Sequence, residues 1–282
     1  MAEETVDFKL YRYNPSMAAA VIFIILFFLV TALHFYQMMR TRTWIFIPFV
    51  IGGVFEVIGY IGRAISAQES PNWSVAVYSL STILLLVAPA LFAASIYMML
   101  GRIILVTDGE SHSLIPKKWL TKLFVTGDVI SFMMQGAGGG IMASGTIEAV
   151  HTGEKIIIAG LVVQLLFFGF FIITGVIFHA RMVRQPTSKV YSQSLPWERQ
   201  LYSLYIASLL ILVRCIFRLI EYAQGNDGYL ISHEVFLYVF DAVLMFATMV
   251  WMAWVHPSEI SALLSKGRGR AVRRVISVYS LR

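Results

Sequence analysis

Seven long apolar stretches constrain the fold of this chain more than any other feature of its sequence. A helix needs about 20 predominantly apolar residues to cross the hydrocarbon core of a membrane. Stretches of that length lie near residues 17–37, 45–65, 76–100, 121–143, 156–178, 201–222 and 234–255. The connecting segments are too short for a second domain. We therefore predict an all-α fold, an integral membrane bundle of seven transmembrane helices contained in residues 1–257.

Composition agrees with a membrane protein rather than a soluble one. Of the 282 residues, 58% are hydrophobic and 13% are charged, whereas soluble domains carry about 25% charged residues. The first sixteen residues are polar and acidic, and the first apolar stretch is long enough to span, so we expect no cleavable signal. A single cysteine, Cys215, excludes a disulfide framework. No cofactor and no nucleic-acid partner is indicated.

The distribution of Lys and Arg outside the apolar stretches predicts the orientation. Sixteen of the 22 basic residues lie on the same side as the carboxyl terminus, and Lys9, Arg12 and Lys155 lie on the other side. Because cytoplasmic loops carry the excess of Lys and Arg, we expect the amino terminus outside and the carboxyl terminus in the cytoplasm. Residues 258–282 would then form a basic cytoplasmic tail, and the net charge of +6 reflects topology.

Charged residues inside the sixth and seventh stretches are the first candidates for function. Charges within a membrane segment are costly and usually face a protein interior or a water-filled cavity. Arg214, Arg218 and Glu221 lie at i, i+4 and i+7, so they share one helix face. Asp241 lies at a similar depth in the stretch that follows. This pattern predicts a polar chamber within the bundle.

Two other stretches carry polar residues seven positions apart. Glu56 and Arg63 share a face of the second helix, with Tyr60 between them, and Asp128 and Gln135 share a face of the fourth. Glycines in the second stretch permit close approach of a neighbouring helix. In the third stretch, a central proline is expected to kink the helix and to free a backbone carbonyl.

Two interpretations of these charges remain open. The apolar stretches contain three arginines and four carboxylates, so their charges nearly balance. A structural network in which these charges pair with one another would have this near balance. Alternatively, the head group of a ligand breaks some of the pairs: arginine suits a carboxylate or phosphate, and Glu56 or Asp241 suits an amine. The chamber would open outward or sideways into the outer leaflet.

Enzymatic function is disfavoured. The six histidines fall at the ends of the stretches or in loops, and the chain contains neither a Walker motif nor a Gly-x-Ser-x-Gly elbow. We expect no catalytic site and no bound metal.

An ordered set of short motifs runs from about residue 11 to residue 257. The set comprises Tyr13-Asn14-Pro15-Ser16, Glu56 to Arg63, Ala88-Pro89-Ala90, Asp128 to Gly140, Arg214 to Glu221, Glu234 to Asp241 and His256-Pro257. In this order the motifs resemble the fungal RTA-like proteins, also called the lipid-translocating exporter family. The resemblance implies seven spans in the plasma membrane, with an internal membrane as the alternative. It also implies export of sphingoid long-chain bases and resistance to amphiphilic toxicants, and for some members movement of porphyrin or haem.

Together these observations predict a transporter or translocase for an amphiphilic lipid-like molecule, surrounded by membrane lipids. The alternative is a seven-span receptor or stress regulator that binds a lipid, porphyrin or haem without moving it. The sequence indicates no oligomeric state. The predicted ligand-binding residues are Arg214, Arg218, Asp241, Glu56, Arg63, Glu221, Tyr60, Gln135 and Asp128.

Overall fold

The computed structural model describes residues 11–142, 146–193, 197–225 and 228–264, and this part of the chain is built from helices. Ten α-helices are present in it: α1 Met17–Thr41, α2 Ile47–Glu69, α3 Val75–Val106, α4 Lys117–Met142, α5 Ile147–Arg184, α6 Ser188–Gln193, α7 Trp197–Ala223, α8 Glu234–Leu237, α9 Leu244–Trp254 and α10 Ser258–Leu264. A π-helical turn over Tyr238–Val243 joins α8 to α9, so residues 234–254 form one helix. The predicted helical class is confirmed.

Six helices in the described ranges are long and apolar enough to cross a membrane. They are α1, α2 with its preceding turn, α3, α5, α7 and the joined helix α8–α9. Helix α4 is also long, at 26 residues, but it contains Asp128, Gln135 and several glycines and is not among these six. A seventh span formed by α4 and the orientation of the termini therefore stay predictions.

Close packing of α2 against α3 depends on glycines, as the sequence suggested. A Cβ atom at Gly52 would collide with the ring of Phe92 and the carbonyl of Ala88, and one at Gly59 would collide with Leu85. Since only hydrogen occupies these positions, the two backbones approach closely. Pro89 lies on α3 within this contact region.

Helix α4 lies along α5. The Ser131 hydroxyl of α4 donates a hydrogen bond of 2.7 Å to the Gly160 carbonyl of α5, and Gly138 faces the backbone of Gly153. With α3, α4 makes contact through the rings of Tyr97 and Phe124.

The two ends of the bundle differ in what covers them. Residues 11–16 cover the end at which α2 finishes, α3 begins and α8 begins, and we call this the N-terminal end. At the opposite end α10 packs on α3: Ile260 is buried, and Arg102 Nη1 lies 3.4 Å from Ser261 Oγ. The first residues of the predicted basic tail thus belong to the bundle, and residues 265–282 lie outside the described part.

Candidate functional site

A cavity of about 390 Å³ lies in the half of the bundle nearest the N-terminal end. Its walls come from residues 11–13, α2, α3, α4, α5, α7, the segment before α8 and the joined helix α8–α9. Six of the nine predicted ligand-binding residues line it: Arg63, Gln135, Arg214, Arg218, Glu221 and Asp241. The remaining three, Glu56, Tyr60 and Asp128, are not among its lining residues.

Arg214 is the largest fully buried side chain and connects three elements. Its Nε donates to Asp241 Oδ1 at 2.5 Å, and its Nη2 donates to the Leu85 carbonyl at 3.1 Å. In an α-helix the Leu85 carbonyl would accept from the residue four positions later, but that residue is Pro89, which has no N–H. The proline therefore frees the carbonyl that Arg214 uses, and the expectation of a freed carbonyl is confirmed.

The acid partner of Arg214 lies in an irregular part of its helix. Asp241 is in the π-helical turn over Tyr238–Val243. Such wide turns interrupt α-helices as short insertions and frequently occur at functional sites. The turn sets where the Asp241 carboxylate projects, a detail that helical periodicity alone does not give.

Arg218 forms a second pair within α7. Its Nη1 donates to Glu221 Oε2 at 2.7 Å, and its guanidinium lies 5.1 Å from the centre of the Tyr222 ring. Its Nε has no hydrogen-bond partner in the described part of the chain. Since a guanidinium has five N–H donors, Arg218, which lines the cavity, retains unused donors.

Arg63 holds the N-terminal segment onto the bundle. Its Nη2 donates to the Tyr13 hydroxyl at 2.6 Å and to Glu234 Oε1 at 3.1 Å. The other oxygen of Glu234 accepts from the Ser16 amide at 2.8 Å. Burial raises the pKa of Tyr13, so its hydroxyl stays neutral. Three rings lie 5.6 to 5.8 Å from the guanidinium carbon: Tyr11, Tyr13 and Tyr238.

Gln135 is buried at the cavity wall with half of its amide unused. Its Nε2 donates to Ser131 Oγ at 2.7 Å and to Gln164 Oε1 at 3.3 Å. Its Oε1 has no hydrogen-bond partner among the described residues.

The other three predicted residues lie in the core beside the cavity. Glu56 is buried, interacts electrostatically with Asp241 and Arg214, and has one oxygen without a partner in the described ranges. The ring of Tyr60 stacks on Phe27 and Phe23, at 5.5 and 5.6 Å. Asp128 accepts a hydrogen bond of 2.9 Å from the hydroxyl of Tyr97 on α3. Asp128 and Gln135 therefore have different partners although they share a face of α4.

Sequence reasoning did not select Glu234, Tyr11 and Tyr13. The first is the ion-pair partner of Arg63, and both tyrosines surround that arginine. All three belong to segments far from α2 in sequence. In the sequence, these three residues were marked only by their position within or beside the ordered set of short motifs.

The described residues contain no group of three or more His, Cys, Asp or Glu side chains placed to hold a metal ion. Three arginines that line the cavity form ion pairs with carboxylates: Arg63 with Glu234, Arg214 with Asp241, and Arg218 with Glu221.

The fold and the site define a helical membrane protein with an ion-paired polar cavity. Residues 49–263 match the family model described as RTA1 like protein, so the chain belongs to that family and the fungal RTA-like resemblance is confirmed. Among its relatives in Saccharomyces cerevisiae is Protoporphyrin uptake protein 1, which is 39% identical over 86% of this chain and 90% of that protein. Protein RTM1 is 37% identical over 85% of this chain and 88% of its own length.

A more distant relative from the same organism is Sphingoid long-chain base transporter RSB1, which is 27% identical over 92% of this chain and 75% of that protein. No solved structure shows a significant match to the chain.

Proposed function

We propose that this protein is a non-enzymatic transporter that binds an amphiphilic lipid-like molecule in its cavity and moves it across the membrane. The observation that carries the proposal is the composition of the cavity wall. Arg214, Arg218 and Asp241 supply the charged part of the wall, and apolar residues of α3 such as Ile83 and Leu86 supply an apolar part. A ligand with a charged head and an apolar body matches both parts.

The head group that fits best has both hydrogen-bond donors and acceptors. Gln135 Oε1 needs a donor and Arg218 Nε needs an acceptor, and a buried polar group left without a partner costs about 1–3 kcal/mol. The amino alcohol head of a sphingoid long-chain base offers an ammonium and hydroxyl groups. A relative named as a transporter of such bases supports this choice.

Movement of the ligand requires the ion pairs to exchange partners. An incoming ammonium competes for Asp241 or Glu221, and head-group oxygens compete for the arginines. We propose that α4 forms the seventh span, that the N-terminal end faces outside, and that the protein works in the plasma membrane. Export to the outside would then lower the internal concentration of amphiphilic toxicants. Coupling to protons would use Glu56 or Asp128.

The test is transport by the purified full-length protein in liposomes. A fluorescent octadecyl amino alcohol is added, and its movement between leaflets is compared for wild type, Arg218→Gln and the control Arg40→Gln. Arg40 is exposed at the end of α1. We expect wild-type flux for the control and at least about tenfold lower flux for Arg218→Gln, since hydrogen bonds to charged groups contribute about 1.5–3 kcal/mol. Equal flux in all three would refute the assigned head-group site.

A receptor or stress regulator is the second candidate. Two ion pairs, Arg63–Glu234 and Arg214–Asp241, join α2 and α7 to the joined helix α8–α9. This favours a ligand-sensing bundle if the pairs do not exchange. Its ligand would be a lipid or a porphyrin, and a relative is named for protoporphyrin uptake. Saturable binding in liposomes without flux would select this function over transport.

A further inference from the structure

One face of α4 leaves an opening beside α3. Gly136, Gly139 and Gly140 lie at i, i+3 and i+4, so they share a face, and all three line the cavity. A Cβ atom added at any of them would have no described atom within 4 Å. In contrast, Gly138 on another face is in tight contact with α5. The open face is therefore turned away from α5.

The opposite wall of this opening is a face of α3. Val75, Ser79, Ile83 and Leu86 recur at helical spacing and line the same cavity, over a length of about 16 Å at 1.5 Å per residue. Val75 is 59% exposed and Ile83 is 44% exposed, so this wall is also reached from the outer surface of the bundle.

Helices α3 and α4 meet farther from the N-terminal end. Tyr97 of α3 packs against Phe124 and hydrogen-bonds Asp128 of α4. Towards the N-terminal end both helices line the cavity, and the glycines of α4 provide no side chains to fill this space. We call the space between residues 75–86 and 132–140 the α3–α4 gap.

Behind the gap lie two buried polar side chains, Gln135 and Arg218. Gln135 is 6% exposed and Arg218 is 7% exposed. Both line the cavity, and each has a buried polar atom without a hydrogen-bond partner in the described ranges. A gap with apolar and glycine walls thus leads from the surface of the bundle to unsatisfied polar atoms.

We propose that the α3–α4 gap is the lateral entrance of the cavity and holds the hydrocarbon chain of the amphiphile while its head group reaches Gln135 and Arg218. This inference rests on the proposed function for the position of the head group. A phospholipid of the bulk membrane or a helix of a second copy would fill the gap but would leave the polar atoms behind it unsatisfied. A single chain with a small polar head satisfies both regions, which is why we assign the gap to it.

The experiment narrows the gap from each wall in the full-length protein in liposomes. Gly139→Leu adds a side chain to α4, and Ile83→Trp enlarges one on α3. The matched controls are Gly169→Leu and Leu166→Trp on α5: Gly169 also has open space around its Cβ position, and Leu166 is exposed. The probes are an octadecyl amino alcohol with a diazirine in its chain and a hexyl amino alcohol with the same head group.

We expect the octadecyl probe to crosslink to residues 75–86 and 132–140 of the wild type. Each gap variant should weaken its binding about tenfold or more, since the loss of contact for about two methylene groups has that effect. Binding of the hexyl probe should be unchanged because it reaches the head-group site without filling the gap. Both control variants should behave as the wild type does.

Three results would overturn the inference: wild-type binding of the octadecyl probe by both gap variants, crosslinks elsewhere on the wild type, or equal labelling of the gap by a diazirine phosphatidylcholine. Failure of the proposed function is a separate outcome. Crosslinking in the gap without flux would refute transport and leave the gap as a binding site. Wild-type flux in Gly139→Leu with wild-type crosslinking would refute the gap and leave transport standing.

Discussion

Removal of one partner from the Arg214–Asp241 pair is the perturbation whose size the structure defines best. The side chains are 1% and 7% exposed, with Nε and Oδ1 2.5 Å apart. In the variant Asp241→Leu, Arg214 keeps only the Leu85 carbonyl among its described hydrogen-bond partners. Leaving one charge of a buried pair uncompensated costs about 3–5 kcal/mol. The Coulomb attraction between unit charges 4 Å apart is about 4 kcal/mol at an effective dielectric constant of 20, which is similar to this cost.

The double variant Arg214→Met/Asp241→Leu separates the pair from its individual members. Replacement of a whole buried pair by apolar residues is often neutral or stabilising, but here the Leu85 carbonyl loses its donor. We therefore expect the double variant to lose about 1–3 kcal/mol, the cost of an unsatisfied buried acceptor. This is less than the sum of the two single losses, so the cycle should give a coupling energy of at least about 3 kcal/mol.

Thermal unfolding of the purified protein in detergent micelles measures these losses. Each single variant should lower the Tm by about 6–20 °C, taking 2–4 °C per kcal/mol, and Arg40→Met should leave it unchanged. Strict additivity of the two single losses, or a loss below about 1 kcal/mol in Asp241→Leu, would refute the reasoning, since either result means that Arg214 has another way to compensate its charge.

Two further predictions concern α4. Tyr97→Phe removes the donor to Asp128 and should reduce stability by about 1–3 kcal/mol, measured as a lower Tm. The affinity for an amphiphile should stay at the wild-type value because neither residue lines the cavity. A loss of affinity would contradict the assignment of this pair to stability alone. If α4 spans the membrane, single cysteines introduced at Ser113 and at Glu148 in a Cys215→Ser background lie on opposite faces of the membrane. Each should then react with an impermeant maleimide added from a different side. Reaction of both from the same side would contradict α4 as a span.

The positions of Arg214, Arg218, Glu221 and Asp241 around one polar space were predictable from the sequence. The first three lie on one α-helix, so their spacing alone fixes a common face. Asp241 lies on the next long helix, and the short connection between the two makes them neighbours. The chamber expected from the sixth and seventh stretches corresponds to the cavity lined by α7 and the π-helical turn, and Arg63 of α2 lines the same cavity.

The surroundings of Glu56 and Asp128 were not predictable from the sequence in the same way. Periodicity shows which residues share a helix face, but it does not show which neighbour that face meets. Asp128 and Gln135 share a face of α4, yet the first meets Tyr97 and the second meets Gln164. Over seven residues the hydrogen-bond partner of this face changes from α3 to α5, and so the two side chains lie in different surroundings.

By itself, the sequence determined the helical membrane class, the family and the charged face of α7, because apolar length and helical spacing are local properties of the chain. The tertiary structure alone decided that Glu234 pairs with Arg63, that Arg214 takes the carbonyl freed by Pro89, and that residues of α3 and three glycines of α4 line one cavity. Each of these contacts joins residues distant in sequence, and their distances depend on how the helices rotate and tilt against one another.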